Sequence, residues 1–266
     1  MSNQPIGVFD SGIGGLTVLR ELLDQLPGES FVYFGDTARV PYGNKSTDTV
    51  RRFSSENVQL LLERGVKMVV VACNTATADA LPQLQSEFEL PIVGVIEPGV
   101  RAAIAATRNN HIGVIGTSGT IRSGAYQKGI LALKPDARVH SKACPLFVPL
   151  VEEGWTDTPV TRLVVEEYLK PYTGLHIDTL VLGCTHYPLL KPAIASLLGP
   201  SVTLVDSAIE TAREVDAVLK KRKLAASAGG DRRFDIILSD TSPTFAEIAS
   251  RFLGRRAPEI ELVSVR

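Results

Sequence analysis

"VVVACNTATADAL", residues 69–81, runs from valines and an alanine into Cys73, and the polar pair Asn74-Thr75 follows at once. An all-apolar run that ends in small polar residues suits a strand covered on both faces, meeting a loop at its carboxyl end. "TLVLGCTHYPLLK", residues 179–191, repeats the arrangement around Cys184. Similar runs occur at 5–10, 30–36, 67–73, 91–96, 111–116, 137–142, 178–184, 201–206 and 234–239. Most are separated by segments with helical spacing, such as Leu16, Leu19, Leu22 and Leu23, or Val58, Leu61 and Leu62. Apolar strands joined by helices predict an α/β fold with doubly wound parallel sheets.

The chain also repeats itself. "IGVFDSGIGG" (6–15) resembles "IGVIGTSGT" (112–120), "VVVACNT" (69–75) resembles "LVLGCTH" (180–186), and "GVIEPGV" (94–100) resembles "TLVDSAI" (203–209). Three matches in one order at nearly one offset predict two pseudo-symmetric α/β domains with a cleft between them. The first domain is expected to comprise 1–97 and, by return of the chain, 208–266; the second is expected over 98–207. "LAASAGGD" (224–231) reads as a surface linker within the return.

Composition narrows the class. The 266 residues are 44% hydrophobic and 21% charged, with a net charge of −1. That balance predicts no nucleic-acid or membrane partner. "KKRK" (220–223) reads as a solvated helix end. No charged, apolar leader opens the sequence, and no run approaches 18 apolar residues. Cys73, Cys144 and Cys184 are odd in number and lack CxxC spacing, so a reduced, cytoplasmic protein with free thiols and no metal is expected. A homodimer is compatible with all of this.

Ligands of open parallel sheets bind beyond the carboxyl ends of the strands. The residues at those ends are Asp10-Ser11, Asp36, Cys73-Asn74-Thr75, Thr117 and Cys184-Thr185-His186. Two facing domains put one thiol on each wall of the cleft. That is what proton exchange at a stereocentre requires, one thiolate removing a proton as the opposite thiol delivers another. Thiols suit both roles, and helix N-termini at the strand–helix junctions are expected to favour thiolate. A single cysteine at a strand end reads as a small buried hydrophobe, but two in matched settings argue for chemistry. Cys144 lacks such a setting and reads as packing. Taken alone, Asp10 reads as an Asx or N-cap residue, "SGIGG" as an anion-binding turn, "PYG" (41–43) as a loop, and Glu152 as a surface carboxylate. His186, beside Cys184 and without further metal-ligating neighbours in sequence, reads as a residue that tunes the thiol's proton.

"FDSGIGGLTV" (9–18), "GDTARVPYG" (35–43), "ACNTATA" (72–78), "PLVEEG" (149–154) and "LGCTHYPLL" (182–190) together resemble the glutamate racemases of bacterial cell-wall synthesis, with a continuation in "SDTSPTF" (239–245). The resemblance implies a cofactor-independent, two-thiol mechanism that supplies D-glutamate for peptidoglycan. It makes Cys73 and Cys184 the acid–base pair, with Asp10 supporting Cys73 and with Glu152 and His186 supporting Cys184. It assigns Asp10, Ser11, Tyr42, Gly43, Asn74, Thr75, Thr117, Thr120, Thr185 and His186 to the substrate's carboxylates and ammonium, and has Asp36 order the site. The N-terminal extension of the precursor-regulated racemases is not matched, so that regulation is not expected. An aspartate racemase is the nearest alternative, but it typically has Glu where His186 stands. A small-molecule binding protein leaves both cysteines unexplained, and a thiol switch is the third alternative.

Overall fold

The computed structural model describes residues 3–227, 232–242 and 245–265. Among the described residues ten strands form two sheets, parallel throughout. The first sheet contains β1 (Ile6–Asp10), β2 (Phe31–Gly35), β3 (Met68–Val71) and β4 (Ile92–Gly94). The second contains β5 (His111–Gly116), β6 (Arg138–Ala143), β7 (Thr179–Gly183) and β8 (Thr203–Val205), and the chain then returns to the first sheet with β9 (Phe234–Leu238) and β10 (Ile260–Leu262). The orders are β10-β9-β2-β1-β3-β4 and β6-β5-β7-β8.

The sequence repeat is visible in this topology. The order β2-β1-β3-β4 corresponds to β6-β5-β7-β8, so the matched segments occupy equivalent strands. In each sheet the winding reverses at the first strand of the half, between β1 and β3 or between β5 and β7. Such switch points open crevices at the carboxyl ends of the strands. Asp10 and Cys73 flank the first crevice, and Thr117 and Cys184 flank the second.

The helices are α1 (Leu16–Gln25), α2 (Thr47–Glu63), α3 (Asn74–Glu87), α4 (Ile96–Ala106), α5 (Ser118–Ser123), α6 (Ala125–Leu133), α7 (Phe147–Glu152), α8 (Pro159–Leu169), α9 (Lys191–Leu198), α10 (Ala208–Arg222) and α11 (Phe245–Leu253). One hydrophobic core runs across both halves, joining Leu19 and Leu22 of α1 to Leu182 of β7, Phe147 of α7 and Phe252 of α11. The outer faces have separate cores, one around Phe34, Val58 and Leu61, the other around Ile112, Val114 and Val181. The shared core packs the two cleft walls against each other.

Nine strands fall where the apolar runs place them. The tenth, β10, is a short edge strand in which Glu261 and Leu262 are exposed, so it offers no apolar run to read. The basic run lies in the last turn of α10, with Lys223 as its left-handed C-cap. The linker reading of 224–231 and the "SDTSPTF" match fall in part on 228–231 and 243–244, outside the described residues.

Candidate active site

Cys73 follows β3 and is the N-cap of α3, where its sulfur accepts the Ala76 N–H at 3.4 Å. The thiol donates to Ser11 Oγ at 3.6 Å. Beneath lies Asp10, almost fully buried, whose Oδ2 accepts the Gly12 N–H at 3.0 Å. Gly15 N–H also points at this carboxylate. The glycine turn therefore cradles an anion that belongs to the chain itself, an Asx turn closed on Asp10. Tyr33 braces the turn, its hydroxyl donating to the Gly12 carbonyl at 2.8 Å.

The opposite wall is built differently. Cys184 caps no long helix: a short 3₁₀ turn, Tyr187–Leu190, intervenes before α9, with Pro188 and Pro192 at the starts of these two segments. Proline suits a helix start and cannot supply an interior N–H, so the segment breaks into two pieces. Cys184 is served instead by His186, whose Nδ1 lies 3.9 Å from its sulfur. His186 Nε2 lies 3.0 Å from Glu152 Oε1 at the end of α7. Spacing alone read Glu152 as a surface carboxylate; its side chain is only 35% exposed and faces the imidazole.

Between the walls is a small cavity of about 30 Å³, lined by Ser11, Tyr42, Gly43, Cys73, Asn74, Thr75, Thr117, Cys184, Thr185 and His186, together with Val40, Pro41 and Val148. A larger depression of about 460 Å³ lies beside Glu56 and Phe88, but it is open and carries neither cysteine. Asp10, Glu152 and Thr120 stand behind the lining. Thr75, Thr117 and Thr120 form a triangle of hydroxyls at 2.8, 3.0 and 3.2 Å that spans the two halves. Gly43 lets the halves approach here, since a Cβ on it would lie 2.7 Å from Thr117 Cβ.

Two networks anchor the lining; the resemblance implied an ordering role for Asp36, but the partners in both networks were not legible beforehand. The Tyr126 hydroxyl donates to Asn74 Oδ1 at 2.7 Å. The loop carrying Tyr42 and Gly43 hangs on buried Asp36, which accepts from Arg39 Nε at 2.8 Å, from Ser239 at 3.1 Å, and from the Tyr42 hydroxyl. Asn57 donates to the same Tyr42 oxygen at 3.1 Å. The Tyr42 hydroxyl is thus committed to the loop, and what this segment offers the cavity is ring and backbone. Cys144 is fully buried, and its carbonyl accepts the Tyr187 hydroxyl at 2.8 Å.

A family model for Asp/Glu/Hydantoin racemases matches residues 6–215. The glutamate racemase of Geobacter metallireducens is 52% identical over 260 residues, covering 98% of this chain and 96% of that protein. The chain belongs to the Asp/Glu/Hydantoin racemase family. Among solved structures, glutamate racemase from Bacillus anthracis superposes with a TM-score of 0.93 at 43% identity, covering 100% of this chain and 98% of that one. The Francisella tularensis enzyme, solved in complex with D-glutamate, gives 0.93 at 37% identity, covering 99% and 98%.

The two walls of this racemase-family site differ electrostatically. Burial, and then the neighbouring Asp10 charge, push the Cys73 thiol up to about 12, outweighing the Ala76 N–H and Ser11. The helix terminus expected to favour a Cys73 thiolate is present but overruled by desolvation. Burial likewise raises Asp10 above the usual carboxylate range. For His186, burial works downward, but hydrogen bonds and charge from Cys184 and Glu152 prevail and raise it to about 10. One wall holds a protonated thiol above a reluctant carboxylate, the other a thiol facing an imidazolium. Among the described residues no group of three or more His, Cys, Asp or Glu is arranged to hold a metal ion.

Proposed function

We propose that the chain is a glutamate racemase that interconverts L- and D-glutamate with two cysteines and no cofactor. The observation that carries this reading is the pair Cys73 and Cys184, one from each half, lining a single cavity that is rich in hydroxyl and amide donors. The relatives reported above, 37–52% identical, carry the name glutamate racemase, which supports glutamate over aspartate.

The chemistry follows from the charges on each wall. The His186 imidazolium places a positive charge 3.9 Å from the Cys184 sulfur. Acting as the base, the Cys184 sulfur takes the α-proton, and the Cα–H bond becomes S–H. The Cys73 thiol then delivers its proton to the opposite face of the α-carbon and is left as thiolate. Asp10, held buried with Oδ1 lacking a hydrogen-bond partner, is suited to accept and return a proton on the Cys73 side. In the reverse direction the roles exchange, which a thiol allows because acid and base are the same group. Tyr126 occupies the Asn74 carbonyl oxygen and leaves the amide N–H₂ for a substrate carboxylate. Ser11, the Gly43 backbone, Thr75, Thr117 and Thr185 complete the donors, with Thr120 behind them. The cavity has room for about two water molecules, so admission of glutamate requires the walls to part.

We further assign 1–97 with 208–266 to one domain and 98–207 to the other, supported by the pairing of β9 with β2. Three free cysteines fit a reducing, cytoplasmic setting, and the product fits supply of D-glutamate to peptidoglycan. No helix among the described residues is long and apolar enough to cross a membrane.

The deciding experiment is incubation with L-glutamate in deuterated water, with no cofactor added and with a chelator and a carbonyl-trapping reagent present. Optical rotation should decay to zero as deuterium enters the α-carbon. Retained rotation, or exchange that either reagent stops, defeats the reading.

A pH prediction follows from the His186–Glu152 contact. The imidazolium should persist to about pH 10 because Glu152 and Cys184 hold its proton. Glu152→Gln removes one of these charges, so the imidazole pKa falls and the alkaline limb of the rate profile moves to lower pH. At mildly alkaline pH kcat should drop about 100-fold, the low end of what a positioned acid–base group contributes. NMR titration of the ring checks the cause; an unmoved limb would mean that Glu152 does not hold the proton.

A further inference from the structure

The imidazole of His186 must present Nδ1 to Cys184 and Nε2 to Glu152 at once. Imidazole nitrogens donate and accept in the ring plane, so rotation of the ring weakens both contacts together. The Nδ1–sulfur contact is long, 3.9 Å, and constrains that rotation weakly. Something else has to hold the plane.

The neighbour that does so comes from the far end of the chain. Phe252, fully buried on α11, packs nearly perpendicular to the imidazole, at 82° and 5.2 Å between ring centroids. That is an edge-to-face aromatic pair, a geometry with a preferred orientation rather than a mere filled volume. The helix α11 is anchored to the first half: it lies between β9 and β10, Arg255 just beyond it pairs with Asp24 of α1, and Gly254 packs on Arg20. Its Arg251 covers Gly154, two residues after Glu152. A second arm comes from the same half: the hydroxyl of buried Thr17, in the first turn of α1, lies 3.0 Å from the Thr185 carbonyl and 3.0 Å from the Gly14 carbonyl, so its single proton is shared between the turn after β7 and the turn after β1. His186 and Thr185 belong to the segment after β7, in the second half. Phe252 lies beyond the 6–215 span that the family model matches.

We propose that Phe252 and Thr17 are positioning residues, through which the first half fixes the ring plane of His186 and so the base strength of the opposite wall. The proposal rests on the two-thiol reading above. It makes the C-terminal return a working part of the site and gives its loss a direction: only the half-reaction that uses Cys184 as base should suffer.

The test separates the half-reactions with L- and D-glutamate carrying chloride at the β-carbon. Removal of the α-proton expels chloride and gives an enamine, which tautomerises and hydrolyses to 2-oxoglutarate and ammonium, so only the base is needed. Cys184→Ser identifies the enantiomer that depends on Cys184. For that enantiomer Phe252→Leu, which keeps apolar bulk and loses the flat ring, should lower kcat about tenfold, in keeping with about 100-fold for a misplacement near 1 Å. KM, and both constants for the other enantiomer, should stay within about twofold, a change too small to reflect misplaced reacting groups. Thr17→Val should act in the same direction, and Thr17→Ser should restore the rate. Equal losses with both enantiomers, no loss, or an effect confined to KM overturns the proposal. If Phe252→Leu does not fold, the Thr17→Val and Thr17→Ser pair decides by the same criteria. Symmetric behaviour of Cys184→Ser itself overturns the two-thiol reading and this proposal with it. Symmetric behaviour of Phe252→Leu beside a selective Cys184→Ser overturns this proposal alone.

Discussion

Serine in place of either Cys73 or Cys184 is expected to stop racemisation from both enantiomers, with a loss of at least about 1000-fold, within the range that positioned acid–base groups contribute. Every turnover needs both walls, one to take a proton and one to give it. A hydroxyl is far too weak an acid to replace a thiol as an equivalent base. The losses should separate when only the first proton transfer is demanded. With a leaving group at the β-carbon, Cys73→Ser should still eliminate from the L-analogue and Cys184→Ser from the D-analogue, if the faces follow the family resemblance. Equal processing of both enantiomers by both variants contradicts the two-wall arrangement. Reversed preferences keep the arrangement and exchange the faces. The electrostatics give the experiment a second edge. Cys73 is pushed up to about 12 by burial and Asp10, whereas Cys184 faces an imidazolium held to about 10. The two thiols are therefore not interchangeable copies, despite the repeat that placed them.

That asymmetry marks where sequence reading stops. The repeat was legible because buried parallel strands carry their own signature, uninterrupted apolar residues ending in Cys73 or Cys184. The correspondence of β1 with β5, β3 with β7 and β4 with β8 followed from it. Local signals failed where the outcome depended on burial or on distant partners. A helix N-terminus beside Cys73 is visible in "ACNTATA", but the desolvation that overrules it is not. The glycines of "SGIGG" announced an anion-binding turn; that the anion is Asp10 required the fold. Tyr126 on Asn74, Asn57 on Tyr42 and Thr17 on Thr185 join segments with no common spacing, and Thr17 and Thr185 are 168 positions apart. Phe252 sits in an ordinary amphipathic pattern, "FAEIASRFL", in which nothing distinguishes it from Phe245. The edge strand β10 is short and alternates with glutamates, so its pairing with β9 is a property of the sheet rather than of the residues.

The second large effect is expected from a single added methyl group. Gly14 lies where the turn after β1 meets the turn after β7. A Cβ on it would fall 2.2 Å from Thr185 Oγ1 and 2.4 and 2.5 Å from Nδ1 and Cε1 of His186. The φ of Gly14 is not positive, so alanine there has no backbone penalty and the whole effect is steric. Its neighbours have little room to yield, because His186 is held by Glu152 on one side and Phe252 on another. Overpacking of this kind costs about 1–3 kcal/mol in stability. The catalytic cost should be greater, since a displacement of about 1 Å in the imidazole is worth about 100-fold in rate. Gly14→Ala is thus expected to fold, with a modestly lowered melting temperature, and to lose about 100-fold in kcat. The double variant Gly14→Ala with Thr185→Ala separates the two obstacles. It removes the hydroxyl at 2.2 Å but leaves the ring at 2.4 Å, so activity should stay low. Recovery of kcat in the double variant would place the strain on the Thr185 hydroxyl and clear the imidazole. Unchanged activity in Gly14→Ala alone would mean that the two turns can separate freely, and that the close approach of the halves is not what holds His186 in place.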